Sequence, residues 1–214
     1  MKALLQPGHQ SRLGRAQVNA SHANLGESEF PAPSLNLGYQ LTAIDGRTDA
    51  LHPAIVKTLV WPDEAHTRRF ATALAAQDAI RNCYVELHGE LGAGKTTFAR
   101  HLLHALGVSG RIKSPTYAIV EAYDAQPATD RSPAWPIWHF DFYRFSDQRE
   151  WEDAGFRDIF ASEGLKLAEW PQKAAAVLPL ADLALFIDVL DDNRRQVRVL
   201  GQTKTGALLL KAAT

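Results

Sequence analysis

Apolar residues follow two spacings along this chain, and the changes between them mark out its elements. In EAHTRRFATALAAQ, Phe70, Ala71 and Leu74 share one helical face, and Asp63 stands where a side chain caps the first turn. The run CYVELH, residues 83–88, has the length of a buried strand, and Gly89 opens the loop after it. A second helix is predicted from Lys95: Ala99, Leu102, Leu103 and Leu106 fall at i, i+3, i+4 and i+7, and Gly107 lies just past its end. AIVEAY (118–123) reads as the next strand. Residues 124–136, with three prolines, read as a surface loop.

The pattern continues with a strand at IWHFDFY (137–143) and helical structure within 147–162. LKLAEW (165–170) is a strand stopped by Pro171, and LALFIDVL (183–190) is another. QVRVLGQ (196–202) and GALLLK (206–211) suggest an antiparallel hairpin across Thr203, Lys204 and Thr205. The early strand–loop–helix order predicts an α/β fold with antiparallel additions to its sheet.

Residues 1–54 lack any sustained period and mix Gly, Pro, Ser, Asn and Gln. They are expected to form a poorly ordered extension, dispensable for ligand binding, ahead of one domain over 55–214. An acid-poor start bearing Arg12 and Arg15 also suits a transit peptide.

Composition narrows the function classes. Apolar residues make up 46% and charged residues 22%, and the net charge is −1, so no overall basic field points to direct nucleic-acid binding. The single cysteine, Cys83, sits in an apolar run, which excludes an intramolecular disulfide and a Cys-rich metal site. No apolar run approaches the roughly 18 residues of a membrane helix, so a cytoplasmic protein with no membrane partner is expected. His101 and His104 share a helix but have no evident third ligand, which argues against zinc.

The chemistry lies in GELGAGKT, residues 89–96, which fits G-x-x-x-x-G-K-[ST] at Gly89, Gly94, Lys95 and Thr96. Glycines let consecutive N–H groups curl around phosphate oxygens, and the helix start adds its positive dipole end. Lys95 is placed to reach the β- and γ-phosphates, and the Thr96 hydroxyl to ligate Mg²⁺. At an average glycine usage of about 7%, a chain of this length shows the pattern by accident roughly one time in a hundred. The preceding strand and following amphipathic helix make accident rarer still. ATP with Mg²⁺ is the expected ligand. Gly92, Ala93 and Thr97 complete the loop's expected contacts. From the residues alone, Asp141 suits a metal or water-ordering acid as well as a cap, and Glu169 reads as a surface acid. His139 reads as a structural histidine, and Arg144 as a partner for Asp141 or for another protein.

Four blocks in order, GELGAGKTTFARHLLHALG, IKSPTYAIVEAYD, HFDFYRF and LAEWPQ, resemble the TsaE family, the bacterial P-loop ATPase of tRNA threonylcarbamoyladenosine biosynthesis. The resemblance spans about residues 58–200. It implies a P-loop NTPase-type sandwich with a mostly parallel central sheet. It also implies a Mg-dependent ATPase, slow alone, that works with TsaB and TsaD to form threonylcarbamoyl on adenosine 37 of tRNA and meets tRNA only through the complex. By residue, it implies phosphate and metal roles for Lys95, Thr96 and Thr97, and a switch-like loop at Ser114, Pro115 and Thr116. Asp141 becomes a catalytic acid, with contact to the metal through water as one reading, and Lys95 a second catalytic residue. Glu169 becomes a metal ligand and Trp170 a nucleotide-side wall. Glu64 and Thr67 match a nucleotide-side stretch more weakly. Ala118 and Ala122 depart from the family's common Thr and Pro. The rival class is a P-loop small-molecule kinase, which should carry an arginine-rich lid; only isolated or paired arginines, such as Arg194 and Arg195, follow the motif.

Overall fold

The structure, a computed structural model, describes residues 54–126 and 133–213. The expectations for residues 1–53, and for the middle of the 124–136 segment, lie outside those residues.

Seven strands form one sheet in the order β1-β7-β6-β2-β5-β4-β3. They are β1 (Ile55–Trp61), β2 (Tyr84–His88), β3 (Val120–Ala125), β4 (Trp135–Asp141), β5 (Leu165–Glu169), β6 (Leu183–Val189) and β7 (Arg195–Gly201). The central four, β6, β2, β5 and β4, run parallel. β7 and then β1 add antiparallel on one side, and β3 adds antiparallel on the other. The predicted class, a mostly parallel sheet with antiparallel additions, is the one observed.

Strand alternation sends each face of the sheet to its own cover. Val85, Leu87, Leu167, Leu185, Val197 and Val199 face α1 (Glu64–Ala75), α2 (Lys95–Ala105) and α5 (Lys204–Ala212), whose Phe70, Leu74, Phe98, Leu102 and Leu209 complete one core. On the opposite face Tyr84, Phe140 and Ala168 pack with Phe156 and Trp151, carried by α4 (Phe156–Ala161) and α3 (Gln148–Asp153). α1 begins as expected, with the Asp63 carboxylate accepting from His66 N–H. α2 ends in a Schellman motif: Val108 N–H reaches Leu103 O at 3.0 Å and Gly107 N–H reaches His104 O at 3.1 Å.

Several boundaries differ from expectation. GALLLK is helix α5, not a strand: Thr203 caps it by accepting from Gly206 N–H, and Ala207, Leu209 and Leu210 are buried while Leu208 is exposed. β7 forms its hairpin with β6 instead. The two ends of the proposed 124–136 loop are strand, because Asp124 and Ala125 pair with Pro136 and Trp135. β4 ends at Asp141, whose side chain accepts from Tyr143 N–H and turns residues Phe142–Arg144 into a 3-10 turn. β3 starts at Val120, since Ile119 adopts φ 65°. The helical 147–162 segment breaks at Gly155, φ 68°.

Candidate functional site

The site gathers at the carboxyl ends of the parallel strands, where β2, β5 and β4 lie side by side and α/β sheets open their crevices. β2 runs into the glycine loop, and α2 leaves it. Gly89 sits at φ 140°, and a Cβ there would lie 2.4 Å from the Ile187 carbonyl oxygen of β6, so only glycine lets the loop start this close to the sheet. Gly94 takes φ 113° at the N-cap of α2 and offers no side-chain cap. The first-turn N–H groups of an 11-residue helix therefore face the crevice with no capping side chain, the arrangement that favours an anion.

Lys95 is 4% exposed. Its ammonium donates to Gly89 O at 2.7 Å and to Glu90 O at 2.9 Å, and lies 4.0 Å from the centre of the Trp170 ring. Burial holds its pKa below the ordinary 10.5, against the opposing pull of Glu169, Asp141 and Glu90. Trp170 reaches this place through a left-handed backbone, φ 56°, immediately before Pro171, and its ring also meets Tyr143 at 5.0 Å.

Register sets the two acids. Asp141 of β4 pairs directly with Glu169 of β5, so both point to the α2 side of the sheet, and both are buried. Their partners differ. Glu169 Oε2 accepts from the Thr96 hydroxyl at 2.9 Å, and Oε1 accepts from His139 Nε2 at 2.9 Å. Asp141 Oδ2 accepts from the Ser114 hydroxyl and, at 2.7 Å, from Thr116 Oγ1; Oδ1 accepts from Tyr143 N–H at 3.0 Å. Its backbone N–H also donates to Ile119 O at 2.8 Å. Glu169 thus belongs to the glycine-loop helix, and Asp141 ties down the segment 114–119. Ile119 adds strain to that segment, being a β-branched residue at positive φ.

A cavity of about 290 Å³ is lined by Lys95, Thr96, Thr116, Asp141, Glu169 and Trp170, with Gly92, Gly94 and Thr97 at the loop side. A second of about 170 Å³ adjoins it through Gly94 and Thr97, and is walled by Glu64, Thr67, Ala93, Trp61, Asp63 and Arg195. The residues expected to hold nucleotide or metal lie in the glycine loop or on one of these two walls, whereas Pro115, His139 and Arg144 line neither. Arg144 does not pair with Asp141; its guanidinium lies 4.3 Å from the centre of the Tyr117 ring. Trp61 went unnoticed in the sequence, as did the bond from His139 to Glu169, and Arg195 was read only as one of a pair of arginines. The alternation H-F-D, which sends His139 and Asp141 to one face of β4, was the available signal.

Among the described residues no three His, Cys, Asp or Glu side chains form a metal cage. A hydroxyl and a carboxylate 2.9 Å apart still fit Mg²⁺, a hard cation that takes one or two protein oxygens and fills its shell with phosphate and water. No described helix is long and apolar enough to cross a membrane.

Residues 61–197 match the family model for threonylcarbamoyl adenosine biosynthesis protein TsaE. The chain is similar to the tRNA threonylcarbamoyladenosine biosynthesis protein TsaE of Haemophilus influenzae, 38% identical over 145 residues, 68% of this chain and 87% of that one. The TsaE of Bacillus subtilis is 34% identical over 146 residues, 66% of this chain and 85% of its own length. Among solved structures, the crystal structure of Bacillus subtilis YdiB superposes with a TM-score of 0.57 at 23% identity, covering 76% of this chain and 96% of that one, a likeness of fold.

Proposed function

This chain belongs to the TsaE family, and from that premise we propose that it is the Mg-dependent ATPase subunit that works with TsaB and TsaD in forming threonylcarbamoyladenosine at position 37 of tRNA. The observation that carries the ATPase reading is the Thr96 hydroxyl on Glu169, placed at the first turn of a helix entered from a glycine loop. P-loop NTPases hold their metal with a P-loop hydroxyl and a strand-end acid in this way.

The loop amides and the start of α2 bind the phosphates. Lys95 exchanges its bonds to Gly89 O and Glu90 O for phosphate oxygens. Thr96 and Glu169 would hold Mg²⁺, whose chemistry there is to neutralise charge on the β- and γ-phosphate oxygens. The cavity of Thr67, Trp61 and Arg195 is where the rest of the nucleotide lies. Asp141 holds the Ser114 and Thr116 hydroxyls at the phosphate end, so release of that hold couples nucleotide state to the surface of 114–119. Transfer of the threonylcarbamoyl group falls to TsaD, and contact with tRNA is through the complex.

The test is ATP hydrolysis and tRNA modification with this protein alone, with the TsaB–TsaD pair alone, and with all three. Hydrolysis should be slow alone and faster in the mixture, and multiple-turnover modification should need all three. Phosphorylation of a small metabolite by the isolated chain at an ordinary enzymatic rate, unaffected by the partners, would establish the kinase reading instead.

A further inference from the structure

His139 lies on β4, the second strand from one edge of the sheet, with none of its surface exposed. Glu169, the single hydrogen-bonding partner of its side chain among the described residues, is 2% exposed. Since a carboxylate oxygen accepts, the imidazole donates through Nε2–H, which leaves Nδ1 as its other polar atom. That Nδ1 has no partner; among the described residues Arg198 Nε is the one other buried side-chain polar atom left so. An unpartnered polar atom in the interior is costly, and a leucine at this strand position would avoid that cost. Among the described residues the imidazole's one hydrogen bond is to Glu169.

We propose that His139 is a positioning residue: its Nε2–H fixes Oε1 of Glu169, so that Oε2 stays on Thr96 and faces a divalent cation. The proposal rests on the reading of Thr96 and Glu169 as the cation's protein ligands. The alternative resting place for Glu169 is nearby. Lys95 is buried beside it, and Glu169 is the foremost of the three carboxylates pulling on that ammonium. A Glu169 freed from His139 would turn towards Lys95, and each would neutralise the charge that the other needs, one for phosphate and one for metal. His139 approaches from β4 and holds Glu169 on the Thr96 side, keeping cation site and phosphate site apart. Supporting bonds of this kind typically change metal affinity about 10–100-fold when lost.

The experiment measures binding of a fluorescent, non-hydrolysable ATP analogue to the full chain, first in EDTA and then across a Mg²⁺ titration. His139→Gln carries an amide N–H that can reach Oε1, His139→Asn falls short of it, and His139→Leu removes the donor. We expect the Leu and Asn variants to shift the Mg²⁺ midpoint upward by about tenfold or more, with affinity in EDTA within about threefold of wild type. The Gln variant should stay within about threefold of wild type in both. Thermal unfolding identifies any variant that fails to fold, and if Leu does, the Asn–Gln pair decides. Coincident Mg²⁺ curves for wild type and Asn, or equal impairment in Gln and Asn, overturn the proposal. A wild-type protein whose nucleotide affinity ignores Mg²⁺ overturns the cation reading itself, and this proposal with it.

Discussion

Replacing Lys95 by methionine should affect folding and binding very differently, and the structure sets both magnitudes. In the folded protein the ammonium gains two bonds to carbonyls and a place over Trp170. Hydrogen bonds from a charged donor contribute about 1.5–3 kcal/mol each, and a desolvated cation–π contact about 2 kcal/mol. Against these stands the loss of hydration of a buried ion, several kcal/mol after relaxation. The lowered pKa of Lys95 says that burial outweighs its neighbours. Methionine keeps the packing volume, so stability should change by less than about 2 kcal/mol, or roughly 4–8 °C in Tm for a domain of this size. Binding loses more. Phosphate would give Lys95 shorter, doubly charged bonds, net of the carbonyl bonds surrendered, and about 1.5–3 kcal/mol corresponds to a 10- to 150-fold weaker Kd for ATP. The pH dependence follows with its sign. The folded pKa lies below that of the unfolded chain, so between the two the unfolded state holds more protons and the Lys95 contribution to stability rises with pH. Phosphate binding favours the charged lysine, so ATP affinity should fall as pH rises through the folded pKa, and that fall should vanish in the methionine variant. Calorimetric titration with Mg·ATP at several pH values, alongside thermal unfolding, reads all three effects. A folded variant with Kd within threefold of wild type would refute the assignment of Lys95 to phosphate.

Two further substitutions separate roles. Asp141→Asn should lower ATP hydrolysis while leaving the Mg²⁺ midpoint of nucleotide binding in place, because its partners are Ser114, Thr116 and Tyr143 and not Thr96; a shifted midpoint would move Asp141 to the metal. Amide exchange across 114–119 should quicken in that variant, as one of the bonds holding the segment is lost. Thr203→Ala should lower stability by about 2 kcal/mol in urea unfolding, through the cap of α5 and the bond to Asp182, with ATP affinity unchanged; a loss under about 0.5 kcal/mol would mean the cap contributes little.

Much of the fold was legible because local chemistry and tertiary position agree. Asp63 caps α1 within its own turn, and the i, i+3, i+4 stripe of α2 is the stripe that meets the sheet. Where they part, the reading failed. In GALLLK, three consecutive leucines fit either period, and the decision comes from Thr203 and Asp182, whose side chains bond across 21 residues. Asp182 also caps the start of β2 by accepting from Tyr84 N–H, so one carboxylate fixes two elements far apart in sequence. The strand β1 hid for another reason. Its outward residues Val56 and Val60 are as apolar as its inward Ile55 and Leu59, and alternation is invisible when both faces read alike.

The site was legible to the extent that its parts are covalently contiguous. The glycine loop acts through backbone N–H groups and φ angles, which a run of eight residues determines by itself. The acids act through register. Nothing local distinguishes Asp141 from Glu169, since each ends an apolar strand. Their jobs diverge because β5 lies beside β2 while β4 lies one strand farther out. Glu169 therefore falls within reach of Thr96, at the first turn of α2, and Asp141 meets the segment that follows α2 and leads into β3. Strand order, which no single segment encodes, divides two like carboxylates between the Thr96 hydroxyl of α2 and the 114–119 segment. The same geometry explains His139: two residues before Asp141 on the same face, it sits diagonally across from Glu169 and can support the acid that its own strand does not carry.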